Sequence, residues 1–275
     1  MGAMSLSETK YLLRRHRIFP NRLLGQNFMV EASVFQKLSG YASLSNADVV
    51  LDVGAGFGFL TRFLANKCKS VLAVEKDPRI AEVLHEQLRG VGNVAIVEGN
   101  VLKAPVPDFN KVVSIPPYQV SSRLLVWLFD RSFDCAVLVF QKEFAKRLVA
   151  SVGTEDYSWL TVFAYYAAQV ELLDAVPRWM FFPQPEVDSV IVRLTKREAA
   201  PFEVKDAVLF RQMLRFLFTE RNKKLGNAVA PFIKNTLKIP AEEAKKLVSG
   251  LPFRDKRVRV LAPEDFGALA NALIS

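Results

Sequence analysis

Short apolar runs alternate with amphipathic stretches between residues 48 and 194 of the chain. Runs of roughly four to eight apolar residues bounded by turn residues are typical of buried strands, and the stretches between them have helical spacing. Continuous apolar strands separated by helices predict a parallel sheet that is covered on both faces. The predicted strands are residues 48–53, 70–75, 93–99, 111–115 and 133–140, and the predicted helices are residues 59–67, 77–90, 121–130 and 141–150.

The pattern changes in the last third of the chain. Residues 169–176 and 187–195 have the composition of strands with no full helix between them, and they can form an antiparallel hairpin at the sheet edge. Residues 196–206 are polar, and helical spacing follows in residues 206–218, 223–235, 240–250 and 263–275. We therefore predict an α/β domain with a doubly wound sheet at residues 1–198 and a small α-helical domain at residues 199–275.

A glycine-rich turn follows the first predicted strand. Gly54, Gly56 and Gly58 stand in the sequence LDVGAGFGFLT, and glycine permits positive φ and close approach of a ligand to the backbone. Glu75 ends the next strand, where parallel topology places it beside the turn and its carboxylate can accept hydrogen bonds from ribose hydroxyls. These features predict a nucleoside-type cofactor. Phe59 stands where a dinucleotide motif has its third glycine, which argues against a dinucleotide.

Two consecutive prolines interrupt the chain after the fourth strand, in the sequence VVSIPPYQVSS at residues 112–122. Proline fixes φ and donates no backbone hydrogen bond, and Pro117 restricts Pro116 to extended conformations. Tyr118 is therefore expected on a rigid segment at the carboxyl edge of the sheet, beside the cofactor turn.

Composition narrows the functional class. No apolar stretch approaches the roughly 18 residues of a membrane span. Cys68 and Cys135 lie in apolar surroundings, and neither has metal-site spacing with a histidine, so we expect no metal centre and a reducing, cytoplasmic location. The net charge of +9 favours a polyanionic partner, most often nucleic acid. Basic side chains concentrate in residues 10–24 and 211–224.

These motifs together resemble one enzyme family. The glycine turn matches the acid-x-G-x-G-x-G motif of S-adenosylmethionine-dependent methyltransferases, and the Pro-Pro-Tyr segment resembles the amino-methyltransferase motif that holds a planar exocyclic amine. Further segments, between about residues 22 and 230, resemble the KsgA-type small-subunit rRNA adenine N6,N6-dimethyltransferases. In chain order they are RLLGQNFMV, FDCAVLVFQKEFAKRLVA, GTEDYSWLTV, FFPQPEVDSVIVRL and FTERNKKLGNAV. The resemblance implies a Rossmann-like methyltransferase sheet followed by a helical RNA-binding domain.

The resemblance implies S-adenosylmethionine as the cofactor. Gln26, Asn27 and Met29 would line its methionine and ribose end, and Gly54 and Gly56 would contact it through their backbone. Glu75 would hold the ribose, and Asn100 would meet the adenine. Lys76 and Val101 are also expected to bind the cofactor. Asn100 stands where the family usually has aspartate, and its carbonyl can still accept a hydrogen bond.

The resemblance also assigns the pocket of the target base. Pro116 would offer its carbonyl to the target amine, Tyr118 would stack on the adenine, and Phe181 would close over the other face. Aligned without a gap, Ile115 stands where the family has asparagine, and isoleucine cannot accept a hydrogen bond. A shift by one residue puts Ser114 there instead, with an extra proline before Tyr118. Both alignments remain open at this level.

The implied partner is ribosomal RNA within the immature small ribosomal subunit, and we expect a monomer that is not bound to a membrane. The side chains expected to grip RNA phosphates are Arg14, Arg15, Arg22, Lys146, Arg147, Arg211, Arg215, Arg221, Lys223 and Lys224. Three alternatives stay open. They are a large-subunit rRNA adenine methyltransferase, a DNA adenine methyltransferase, and a ribosome-assembly factor that methylates weakly or not at all.

Overall fold

The computed structural model describes residues 6–21 and 25–274, and it divides into two units. The first unit comprises Met1–Ala145 and Glu171–Lys196, and the second comprises Lys146–Val170 and Arg197–Ser275. The last boundary between the units, after Lys196, lies near the division after residue 198 that the sequence predicts. The grouping of Lys146–Val170 with the helical segment differs from that prediction, because a division into two continuous stretches cannot represent a segment that leaves one unit and returns.

Strands of the first unit form a central sheet and a short separate pair. The strands are β1 (Phe28–Met29), β2 (Val49–Val53), β3 (Ser70–Glu75), β4 (Val94–Glu98), β5 (Lys111–Ser114), β6 (Cys135–Gln141), β7 (Ala168–Val176), β8 (Phe181–Phe182) and β9 (Ser189–Lys196). The sheet order is β4-β3-β2-β5-β6-β9-β7, and β1 pairs antiparallel with β8. The neighbours from β4 to β6 are parallel, as the continuous apolar runs predict, and β9 joins β6 antiparallel.

The predicted neighbours at the end of the sheet are confirmed, with β9 inside and β7 at the edge. Strand order changes direction at β2, which lies between β3 and β5. In a doubly wound sheet such a point leaves a crevice at the carboxyl ends of the strands, where ligands bind. The glycine turn follows β2, so the topology places that turn at the crevice.

The helices are α1 (Leu6–Arg15), α2 (Ser33–Tyr41), α3 (Phe59–Ala65), α4 (Pro78–Gln87), α5 (Ser121–Phe129), α6 (Lys142–Leu148), α7 (Trp159–Ala167), α8 (Ala207–Thr219), α9 (Leu225–Asn235), α10 (Ala241–Gly250) and α11 (Pro263–Ala272). The sequence patterns assign no helix to α1, α2 or α7. In α7 the run WLTVFAYYA is apolar on nearly every side, so no helical period stands out. Asp77 caps α4 by accepting from the Arg79 amide, with Pro78 at the first helical position as predicted.

Aromatic side chains form much of the core of the second unit. Helix α8 packs against α7, α9 and α11. The ring centroids of Tyr157 and Phe218 lie 5.5 Å apart, and those of Phe218 and Phe266 lie 5.4 Å apart. The Tyr157 hydroxyl donates to the Leu261 carbonyl at 2.8 Å. These contacts give residues 146–170 and the carboxyl-terminal helices a shared core.

Within residues 6–21 and 25–274, no helix is long and apolar enough to cross a bilayer. Groups of three or more His, Cys, Asp or Glu side chains arranged to hold a metal ion are also absent from that part of the chain.

Candidate active site

An open cleft of about 1020 Å³, measured out to its mouth, lies at the carboxyl ends of β2 to β5. Residues from four segments line it. The glycine turn, the end of β3, the turn after β4 and the Pro-Pro-Tyr segment contribute Gly54, Gly56, Glu75, Lys76, Asp77, Gly99, Asn100, Val101, Ile115, Pro116, Pro117 and Tyr118. The remaining lining residues include Gln26, Asn27, Gln119, Arg123 and Phe181.

The glycine turn lies directly against the proline segment. Gly54 has φ 74° and Gly56 has φ 60°, both in the left-handed region. A Cβ atom on Gly54 would lie 2.6 Å from Cδ of Pro117, which is closer than side chains can approach. Gly54 is therefore required both for the backbone conformation and for the approach of the two segments.

Glu75 is held in one position by backbone amides. Its Oε2 accepts from the Gly56 amide at 3.0 Å, and its Oε1 accepts from the Lys76 and Asp77 amides at 2.8 and 2.9 Å. The residue is 8 % exposed. Burial raises the pKa of the Glu75 carboxyl above its ordinary value, and the three amide hydrogen bonds oppose that rise. Carboxylate oxygens each carry more than one acceptor position, so ribose hydroxyls can still be bound.

Asp52 is a buried acid that the sequence analysis did not assign to the site. It is 1 % exposed, and the Thr61 hydroxyl donates to its Oδ2 at 2.7 Å. Burial, with a smaller contribution from the nearby Glu75 carboxylate, raises the pKa of Asp52 to about 7. The residue lines a recess that adjoins the cleft. The sequence could have identified it, because Asp52 is the acidic residue that opens the acid-x-G-x-G-x-G motif.

Gln26 connects the segment before β1 to the start of α4. Its Oε1 accepts from the Asn21 amide at 2.7 Å, and its Nε2 donates to Oδ2 of Asp77 at 3.0 Å. Gln26 and Asn27 both line the cleft, and their contact with the cofactor stays a prediction. Met29 differs from the prediction: it is 6 % exposed and lines the adjoining recess with Asp52, because its strand pairs with β8 and turns the side chain into the core.

The far end of the cleft is lined by residues that follow β4. The Oδ1 of Asn100 accepts from the Leu102 amide at 3.1 Å, so one acceptor position of this carbonyl is already used by its own turn. Val101 is 5 % exposed and lies beside it. Gln119 and Arg123 also line the cleft and were missed, because nothing in the local pattern distinguishes them from ordinary surface side chains at the start of a helix.

Ser114 points into the sheet, away from the cleft. Its hydroxyl donates to the Val53 carbonyl at 2.7 Å and accepts from the Val53 amide at 3.0 Å. The residue is fully buried, and among described residues it is not part of the cleft lining. Ile115 and Pro116 do line the cleft. The alignment that made Ser114 the acceptor for the target amine is therefore corrected, since the hydroxyl is engaged by the β2 backbone.

Tyr118 is fixed by one hydrogen bond. Its hydroxyl lies 2.7 Å from Oγ of Ser189, which is itself fully buried. Burial, opposed by that hydrogen bond, raises the pKa of Tyr118 to about 12. The phenol therefore stays neutral at any physiological pH and serves as a ring, not as a base.

Phe181 shares the cleft with Tyr118 but does not form a parallel slot with it. The two ring centroids lie 6.3 Å apart with an interplanar angle of 69°. Phe181 is 2 % exposed and belongs to the hydrophobic core cluster around β2 and α2. The two rings are therefore not parallel in this structure, because core packing sets the orientation of Phe181.

The basic residues predicted to bind RNA in the first unit lie at the end of α1. Arg14 and Arg15 are exposed in its last turn, and Arg15 forms an ion pair with Glu86. Arg22 lies outside the described residues.

In the second unit, three of the predicted arginines contact the protein itself. The guanidinium of Arg215 lies 4.7 Å above the Trp159 ring, and that of Arg211 lies 6.0 Å from the Phe163 centroid. Arg221 donates to the backbone carbonyls of residues 154 and 155 at 2.7 and 2.8 Å. Arg221 thus holds a loop, which its sequence position could not reveal. The exposed members of the predicted set in this unit are Lys146, Arg147, Arg215, Lys223 and Lys224.

Lys223 and Lys224 each have an acidic neighbour. Lys223 lies 3.0 Å from Glu220, and Lys224 lies 3.4 Å from Asp255. All four side chains are solvent-exposed to a large degree, so these pairs are weak and a phosphate can compete for the ammonium groups.

Known proteins share this arrangement over most of the chain. The sequence model of the ribosomal RNA adenine dimethylase family matches residues 20–248. A probable ribosomal RNA small subunit methyltransferase A of Methanosarcina mazei is 41 % identical over 90 % of this chain and 91 % of its own length. The protein of the same description from Methanopyrus kandleri is 37 % identical over 98 % of both chains.

Two solved structures carry the same fold. A dimethyladenosine transferase from Plasmodium falciparum superposes with a TM-score of 0.73 at 28 % identity, covering 86 % of this chain and 94 % of that one. The 23S rRNA methyltransferase ErmE superposes with a TM-score of 0.64 at 28 % identity, covering 90 % of this chain and all of that one. With a family match that spans most of its length and relatives above one-third identity, this chain belongs to the ribosomal RNA adenine dimethylase family.

Proposed function

We propose that this protein transfers methyl groups from S-adenosylmethionine to the exocyclic N6 of adenine in small-subunit ribosomal RNA, two per adenine, within the immature subunit. The observation that carries the proposal is the meeting of two segments in one cleft: the glycine turn with Glu75, and the rigid Pro-Pro-Tyr segment. The relatives named small subunit methyltransferase A support the choice of rRNA over DNA and of the small subunit over the large.

The cleft fits a nucleoside cofactor that carries a positive charge. Gly54 and Gly56 carry no side chains, so a ligand can lie against their backbone. Glu75 offers fixed carboxylate oxygens for ribose hydroxyls, and the carboxyls of Asp52 and Glu75 make this end of the site favourable for a cation. When bound there, S-adenosylmethionine supplies an electrophilic methyl group on its sulfonium.

The Pro-Pro-Tyr segment prepares the amine for attack. The lone pair of an adenine N6 is delocalised into the ring, so the planar amine is a poor nucleophile. Pro116 can accept one N6 hydrogen through its carbonyl, which favours the pyramidal form of the amine. Tyr118 presents an aromatic face for stacking, and its hydrogen bond to Ser189 fixes the ring orientation before the base arrives. The remaining proton can leave to water, so a titrating base is not required.

One observation favours a second function, that of an assembly factor that binds the immature subunit and methylates slowly. Ile115 supplies no acceptor for the second N6 hydrogen, and the neighbouring Ser114 hydroxyl is already bound to the β2 backbone. Acceptors on both hydrogens would lower the barrier further than one acceptor does.

A single assay separates the two functions. Purified protein is incubated with methyl-labelled S-adenosylmethionine and small ribosomal subunits from a strain that lacks this methylation, and the RNA is digested to nucleosides. Dimethyladenosine at stoichiometric yield is the expected result. Tight binding to the subunit without incorporation of label would support the assembly factor. Label on large subunits alone would show that the substrate is large-subunit RNA.

A further inference from the structure

Trp179 is an exposed indole two residues before Phe181, which lines the cleft. It is 57 % exposed, although tryptophan is largely buried in most folded proteins. It lies in the single helical turn Arg178–Met180, which leads into β8. The described contacts that hold this turn are made by its backbone and by the residues on either side of Trp179.

The turn that carries Trp179 is rigid on both sides. The Arg178 amide donates to Oδ1 of Asp188 at 2.9 Å, and the Met180 carbonyl accepts from the Val30 amide at 2.8 Å. Met180 packs against the hydrophobic core that contains Phe181. The backbone around the indole is thus anchored, so binding a partner costs little backbone ordering.

Trp179 is close along the chain to the pocket proposed for the target base. Phe181 follows two residues later and lines the cleft with Tyr118, and two residues span at most about 7 Å of chain. The surroundings are cationic as well as aromatic: Arg178 is exposed, and the ammonium of Lys10 lies 5.2 Å from the Phe182 ring centroid. Exposed rings interleaved with cations are typical of surfaces that bind unpaired nucleotides.

We propose that Trp179 stacks on an unpaired base of the RNA next to the target adenine. The proposal rests on the proposed function, because it requires an RNA strand at the mouth of the cleft. Extruding an adenine from the stack leaves a neighbouring base with an open face, and an anchored indole can cover that face. This contact is made away from the reacting atoms and is equally strong before and during methyl transfer. It therefore contributes to RNA affinity and not to the chemical step.

Substitution tests the contact through the kinetic constants. Trp179→Ala is expected to raise KM for under-methylated small subunits roughly 5- to 150-fold, the range of one base–aromatic stack. The kcat and the Kd for S-adenosylmethionine should stay at their starting values. Trp179→Phe keeps a stacking face and should recover most of the affinity. The matched control is Leu172→Ala, which shortens a different exposed apolar side chain, on β7. It should leave KM, kcat and Kd unchanged.

Fluorescence tests the contact without catalysis. The chain has three tryptophans, so Trp127→Phe with Trp159→Phe leaves Trp179 as the sole indole. A single-stranded RNA oligonucleotide with the sequence around the target adenine should quench this emission, whereas a fully paired duplex should quench it much less.

The outcomes distinguish this proposal from the function on which it rests. An unchanged KM in Trp179→Ala together with unquenched emission overturns the stacking contact while methyl transfer persists. Absence of methyl transfer in the wild type overturns the function, and the quenching experiment then still decides whether the indole binds RNA. Quenching by small-subunit proteins freed of RNA, and not by RNA, would assign Trp179 to a protein partner and overturn the proposal.

Discussion

At the scale of single residues, the site is built from carboxyls whose hydrogen bonds are arranged before a ligand binds. Three backbone amides fix Glu75, and Thr61 with the surrounding core fixes Asp52. Burial disfavours the charged form of both acids. A cationic ligand nearby would offset part of that penalty, so the acids and a sulfonium cofactor are mutually stabilising.

Glu75→Gln should weaken cofactor binding. The substitution removes a charged acceptor for the ribose, and hydrogen bonds to charged groups contribute about 1.5–3 kcal/mol. The Kd for S-adenosylmethionine, measured by titration calorimetry, should rise roughly 10- to 150-fold. Glu98→Gln is the matched control, because Glu98 lies opposite Glu75 in the β3–β4 register but is 56 % exposed and contacts His85. Equal Kd values for both variants would contradict the assignment of Glu75.

Asp52 should make stability depend on pH. Its pKa in the folded protein is about 7, above the ordinary value of 3.8, so between these values the folded state binds more protons than the unfolded state. The free energy of unfolding therefore falls as pH rises from about 4 to 7, by on the order of 4 kcal/mol for this group at about 1.4 kcal/mol per pKa unit.

Asp52→Asn isolates this effect, because asparagine does not titrate. The Tm of the variant minus that of the wild type, followed by thermal scans from pH 5 to pH 8, should become more positive with rising pH. Acids that do not interact with Asp52 titrate equally in both proteins and cancel in the difference, whereas Glu75 interacts with Asp52 and does not cancel fully. A difference that is flat or falls with pH would show that Asp52 is charged in the folded protein at pH 5.

At the scale of elements, the cleft depends on how β2 and β5 are connected at their carboxyl ends. Their paired register runs over Val50–Lys111 and Leu51–Val112. Two residues further on, Ser114 continues the connection through its side chain, bonding both the amide and the carbonyl of Val53. Ser114 thereby sets the distance between the glycine turn and the Pro-Pro-Tyr segment.

Ser114→Ala should therefore affect both stability and catalysis. It leaves the buried Val53 amide and carbonyl without their partner, at about 1–3 kcal/mol in urea unfolding. The kcat should fall more than the KM for RNA rises, since the two substrates are bound but misplaced. Ser249→Ala removes a comparable serine–backbone bond in α10 and should leave kcat unchanged. Wild-type kcat in Ser114→Ala would contradict the positioning role.

At the scale of the whole molecule, a net charge of +9 favours binding to RNA. Two exposed lysines of the second unit, Lys223 and Lys224, form only weak exposed ion pairs. Phosphate binding by such groups releases counterions, so affinity depends on salt.

Affinity for small-subunit RNA should fall steeply as salt rises. Replacing Lys223 and Lys224 with glutamine should reduce the slope of log K against log salt by about one for each phosphate that is no longer bound. The matched control replaces Lys67 and Lys69, which are exposed at the opposite end of β3 from the cleft, and should leave the slope unchanged. Filter binding measures the slopes of the variant and of the control. The salt concentration is varied between about 50 and 200 mM, roughly the range over which such slopes are resolved. If the RNA affinity of the wild type did not change with salt concentration, binding through phosphate contacts would be excluded.

Sequence patterns predicted the helices, strands and turns well where interactions between near neighbours in the chain determine them. The order of strands and helices from β2 to α6, the cap at Asp77 and the positive φ of Gly54 and Gly56 agree with the sequence patterns. They failed at α7, which is apolar nearly all round, and for residues 146–170, whose core partners lie in the carboxyl-terminal helices.

The sequence by itself determined where proline restricts the backbone, where glycine permits positive φ, and which faces of the helices and strands are apolar. These properties depend only on a residue and its near neighbours. That was enough to place Glu75, Pro116 and Tyr118 at one edge of a sheet. Only the tertiary structure decided where side chains point: Ser114 to Val53, Arg221 to the loop at residue 154, and Phe181 edge-on to Tyr118. Each of these partners is distant along the chain, and only three-dimensional packing brings it within bonding distance.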